Sequence, residues 1–215
     1  MFRLYPRLKS MGLPAYQWSP DVIHIHRETL ERPLGWRRPR MIFTNSMSDF
    51  FHERIPFEFL DKVLEVIRET PQHTYQILTK RSWRMMKYAE TIERFPDNVW
   101  CGVSVESATY KFRIDHLRKV KARVRFVSVE PLIAPLGSID LSEIHWVIVG
   151  GESGPNRRSF RKDWACDIRD QCLRANMPFF FKQIGGLRPS SGGRLLDGRE
   201  WNQFPHNATL PVASH

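Results

Sequence analysis

The chain has 215 residues, 41% of them hydrophobic, enough to bury one core in a single α/β domain. Its net charge of +10, from 33 Lys and Arg against 23 Asp and Glu, favours polyanions such as nucleic acid or nucleotides. No apolar run approaches the roughly 18 residues of a membrane span, and the basic start MFRLYPRLKSMG lacks the apolar stretch of a secretory signal. Three cysteines, an odd number without pairing pattern, argue against a disulfide scaffold and suit a reducing cytoplasm.

In chain order, Met1–Gln17 reads as a short helix ending at Gly12-Leu-Pro14, and Arg27–Trp36 as one or two helical turns stopped by Pro39. A strand is expected at Met41–Thr44. Pro56–Thr70 places Phe59, Leu60, Val63, Leu64 and Ile67 at the spacing of an amphipathic helix, closed by Pro71. Tyr75–Leu78 reads as a strand, and Ser82–Phe95 as a helix with Ser82 as N-cap and Pro96 beyond its end. Val99–Val105 is a strand, and Ser107–Lys121 a helix with Phe112, Leu117 and Val120 on its inner face. The strand Val124–Val129 runs into a loop over Pro131–Ser142, then a strand at Trp146–Val149. Arg161–Ala175 is a helix carrying Trp164, Ile168, Cys172 and Leu173, and Pro178–Phe181 is the last strand. Asp197-Gly198 signals a turn in the irregular region after Gly185.

Strands separated by helical crossovers require a largely parallel sheet, wound right-handed. The expected architecture is α/β, a partial TIM-type parallel barrel of about six strands, with residues 1–205 as one domain and 206–215 as a disordered tail. GGESG after Val149 lacks the GxGxxG spacing of a dinucleotide fold, which favours the barrel over a doubly wound sheet.

Parallel barrels present the carboxyl ends of their strands to ligands, and here these ends carry polar side chains. Asp49, Lys80, Glu106, Glu130, Glu152 and Lys182 are expected to converge on one rim. NSMSDFFH supplies Asn45, Ser46 and Asp49, which can orient hydroxyls or an amine, with Asp49 able to act as a base. Lys80 can bind a carboxylate or phosphate, form a Schiff base, or simply pair with Glu106 or Glu130. Gly150 and Gly151 permit close approach of a ligand to backbone before Glu152. No histidine stands at metal-ligand spacing beside the carboxylates, so no metal site is expected. Cys166 and Cys172, on one helix, and Cys101, inside a strand, read as packing residues.

Taken together, NSMSDFFH, LTKR, GVSVES, VRFVSVEPL, WVIVGGESGP, FFFKQIGG and GGRLLDGREW resemble a family of bacterial and phage proteins of radical-SAM-like type, encoded beside a three-Cys-motif partner protein. The resemblance is collinear to about residue 205. It implies a partial barrel, a 4Fe–4S cluster on a cysteine loop after the first strand, and S-adenosylmethionine at the mouth. It further implies that Asn45, Ser46 and Asp49 lie near the cofactor, that Ser104, Glu106 and the Gly150–Glu152 turn bind its polar parts, and that Lys80, Glu130 and Lys182 face substrate. The chain departs from that pattern. Met1 falls inside the region following the family's cysteine loop, and none of Cys101, Cys166 or Cys172 matches the cluster motif. The expectation is therefore a truncated, cluster-free form lacking the first barrel strand. Two other readings stay open: a non-catalytic basic module binding nucleic acid or a partner protein, and a cluster-free barrel lyase or hydrolase.

Overall fold

Six apolar runs pair side by side into one parallel sheet whose spatial order equals its chain order. The computed structural model describes residues 25, 27–44, 48–188 and 191–205; the helix expected over Met1–Gln17 and the tail 206–215 lie outside them. The strands are β1 (Met41–Phe43), β2 (Thr74–Thr79), β3 (Val99–Ser104), β4 (Val124–Val129), β5 (Trp146–Gly150) and β6 (Phe179–Gln183). The helices are α1 (Phe57–Arg68), α2 (Ser82–Ala89), α3 (Phe112–Arg118) and α4 (Lys162–Arg174). Every neighbouring pair is parallel, and the helices cover one face, so the sheet curls into a half-barrel with a concave inner side. No helix among the described residues is long and apolar enough to cross a membrane.

Two apolar layers hold this arrangement. Between sheet and helices, Ile77, Cys101, Val103, Val127, Val129, Val147 and Phe181 pack against Leu60, Leu64, Tyr88, Leu117, Ile168 and Cys172. On the concave side a second cluster joins Trp100, Val124, Phe126 and Trp146 to Leu78, Ile148, Phe180 and Phe204. Burial on both faces explains why β3 and β4 read as near-continuous apolar runs rather than alternating ones.

The helices are shorter than their sequence patterns suggest. α2 stops at Ala89 rather than Phe95, because Thr91 folds back to Tyr88 O (2.8 Å) and the Phe95 N–H bonds Lys121 O (3.0 Å), turning Phe95 into the core. Ser82 is the first residue of α2 and not its N-cap; its hydroxyl meets His116 Nδ1 at 2.9 Å instead. The helix expected over Ser107–Lys121 divides into a 3-10 turn at Ala108–Tyr110 and the short α3. Leu117 and Val120 point inward as expected, but Phe112 is exposed. Two 3-10 turns, Arg27–Thr29 and Arg32–Gly35, stand where helical turns are expected.

Past α4 the chain returns to β6. Phe181 N–H donates to Trp201 O (2.9 Å) and Gln203 N–H to Phe179 O (3.2 Å), an antiparallel strip that covers the β6 edge. The turn signalled at Asp197-Gly198 is present, with φ of 51° and 77° and Leu196 bonded to Arg199.

Candidate functional site

Strand alternation decides what faces the bowl. Residues in register form rows on the concave side: Leu78, Gly102, Phe126 and Trp146 in one, and Ser104, Ser128, Ile148 and Phe180 in the next. Two residues further on, the same parity brings Glu106, Glu130, Gly150 and Lys182 to the rim, with Lys80 at the end of β2. The bowl therefore has an aromatic floor, two buried serines in its wall, and charges at its mouth.

The rim charges are organised in pairs. Glu106, 6% exposed, is gripped by Lys80 at Oε1 and by Arg113 Nη1 at Oε2 (2.9 Å), while the same Nη1 donates to Ser104 O (2.7 Å). Burial works to raise the Glu106 carboxyl, but the bond from Lys80, a backbone N–H and the charges of Lys80 and Arg113 outweigh it and hold the group below the usual carboxylate range. The ion pair that was one reading of Lys80 is thus formed. The clasp by Glu106 holds the Lys80 ammonium at the rim while leaving half of the side chain in solvent.

Glu130 leans over β5 to reach Lys182, whose Nζ lies 2.8 and 3.1 Å from its two oxygens. Gly150 leaves room for this crossing, since a Cβ there would make a tight 3.3 Å contact with the Glu130 carboxyl carbon. Gly151 has a packing role as well: a Cβ would overlap the Ile184 carbonyl oxygen, so that position is closed to a ligand on this side. Glu152 accepts three bonds from Arg158, from the backbone N–H (2.9 Å), Nε (2.9 Å) and Nη2 (3.1 Å), and these keep its carboxyl low.

Asp49 sits at the edge of this set. It accepts from Thr79 Oγ1 (2.6 Å), Phe51 N–H (2.9 Å) and Lys80 N–H (3.1 Å), and pairs with Arg81 Nη1 (3.2 Å). These partners make it a brace between the loop after β1 and the end of β2, with both carboxylate oxygens occupied. Asn45 and Ser46 lie outside the described residues. The structure thus brings Lys80, Ser104, Glu106, Glu130 and Lys182 together around the bowl, and sets Glu152 with Arg158 at its β5 side.

Three participants escape the sequence reading. Arg113 lies in KFRIDHLRK, where nothing marks one basic residue as buried. Arg158 is one of several arginines in its loop. Ser128 is legible in retrospect, since it shares the parity of Glu130 along β4.

The cysteines do not fit a cluster. Cys101 lies buried in β3 on the helix side, and burial drives its thiol far above the ordinary range. Cys172 is buried in α4, its thiol pushed up to about 12 by burial, and Cys166 is raised chiefly by burial as well. Cluster ligands are thiolates, and no group of three or more His, Cys, Asp or Glu among the described residues is placed to hold a metal ion.

Residues 2–205 match the family model described as protein of unknown function (DUF5131), and the chain belongs to that family. No curated protein matches the chain. No solved structure matches it.

Proposed function

We propose that the concave mouth of this half-barrel is a binding site for S-adenosylmethionine, in a protein of radical-SAM-like type whose own thiols carry no cluster. The observation behind this reading is the combination of an aromatic, half-open bowl with opposite charges on the carboxyl ends of sequential parallel strands. The donor set suits the ligand's parts. Ile148, Phe180 and Leu78 offer apolar surface to a purine; Ser104 and Ser128 offer hydroxyls; Glu106 and Glu130 suit an ammonium or ribose hydroxyls; Lys182 and Lys80 suit a carboxylate.

When bound, the ligand supplies a sulfonium centre with breakable carbon–sulfur bonds. The chain's residues orient it and exclude water. No step through an iron–sulfur cluster follows from the three cysteines. In the same reading a three-Cys-motif protein is the partner and a nucleic acid or nucleotide the substrate, the latter supported by the net charge of +10.

Calorimetric titration of the purified chain with S-adenosylmethionine tests the site. Binding is expected, and Glu130→Gln together with Lys182→Ala should weaken it about tenfold or more, as loss of charge-assisted bonds does. Absence of binding to a folded protein would remove the reading.

A further inference from the structure

A second concavity lies beside the mouth. The loop after β5 and the loop after β6 border an open cleft of about 620 Å³, lined in part by Arg157, Arg158, Ser159, Phe160, Ile184 and Leu187. None of Lys80, Glu106, Glu130 or Lys182 lines it. It lies toward the helix side of the rim, since Phe160 packs on Phe181 and both Phe160 and Ile184 belong to the sheet–helix layer. Its volume is that of a small-molecule site, roughly 300–1,000 Å³.

We propose that this cleft takes a nucleotide, free or within a single strand, with its phosphate on Arg157 and its base against Leu187 and Phe160. The electrostatics favour an anion. The one carboxylate in the lining, Glu152, is already satisfied by Arg158. Arg157 forms no ion pair among the described residues; its guanidinium makes a long bond to Gly154 O (3.5 Å). Arg188, next to Leu187 in the chain, is exposed and likewise without an ion pair among the described residues. The cleft therefore carries uncompensated positive charge, and guanidinium is the side chain best matched to phosphate.

The apolar part of the lining points to more than a bare anion. Leu187 is 67% exposed, an apolar side chain left uncovered beside two arginines. Gly185 and Gly186, with φ of 87° and 156°, keep the wall thin, because a side chain there would overlap Glu152 O or Ser191 Oγ. Loops following the last strands of parallel barrels recurrently form phosphate sites, and these two follow the last strands of the sheet.

The test is calorimetric titration at low salt with adenosine monophosphate, adenosine and a twelve-residue thymidine oligonucleotide. Adenosine monophosphate should bind, and adenosine about tenfold more weakly or worse. Arg157→Ala and Leu187→Asp should each reduce monophosphate affinity about tenfold, with unchanged thermal unfolding, since both side chains are exposed. Tighter binding of the oligonucleotide, with a steep salt dependence, assigns the site to a strand. Equal or weaker oligonucleotide binding assigns it to a free nucleotide. Failure of all three probes to bind, or full affinity in Arg157→Ala, overturns the proposal. Arg157→Ala and Leu187→Asp report on this cleft, and Glu130→Gln with Lys182→Ala on the neighbouring bowl, so either site can fail without the other.

Discussion

Glu106 shows how one buried carboxylate can organise a rim. Its side chain is 8% exposed, as is nearly true of Arg113 at 10%, whereas Lys80 is 53% exposed. The two cations therefore contribute unequally. Replacing Glu106 with Ala leaves the Arg113 guanidinium buried without its carboxylate, which costs about 3 kcal/mol or more. Lys80→Ala removes a half-solvated partner and costs under about 1 kcal/mol. Urea unfolding of both variants checks this, and equal losses would show that Lys80 and not Arg113 dominates the pair. The sequence marks Glu106 and Lys80 as strand ends, but cannot mark Arg113. Its partner is set by the packing of α3 on β3, a tertiary property.

At the level of elements, β3 and β4 are bound by a reciprocal fit. A Cβ on Gly102 would overlap the Phe126 ring, so the glycine lets the aromatic floor lie flat against its neighbour strand. Gly102→Ala should destabilise by about 1–3 kcal/mol through overpacking, and Phe126→Leu in the same chain should return part of that loss, measured by thermal unfolding. Additive losses would mean that the ring moves freely. The strand bodies are legible in sequence because buried parallel strands write themselves as unbroken apolar runs; β4 matches its expected bounds residue for residue. Helix ends are less legible. The 90–95 and 119–121 segments carry helix-compatible residues, yet the core takes Phe95 and Val120 by turns that no local pattern announces. The Ser82 hydroxyl likewise answers to His116, a residue 34 positions away.

On the scale of the molecule, six parallel strands in chain order set three carboxylates, flanked by Lys80 and Lys182, above an aromatic bowl, and two glycine-containing loops beside it border a second, basic cleft. The half-barrel and its charged rim are readable from strand ends alone. The pairing within the rim, the packing roles of Gly150 and Gly151 and the bracing role of Asp49 are not, because each depends on a neighbour brought in by sheet curvature. Hydrogen exchange with and without S-adenosylmethionine is the most direct measurement of the central claim. Protection is expected where β3, β4, β5 and β6 end, around Glu106, Glu130, Glu152 and Lys182, with no change at the opposite ends of these strands. An exchange pattern unaltered by the ligand, or protection confined to the α1 and α2 surface, would contradict it.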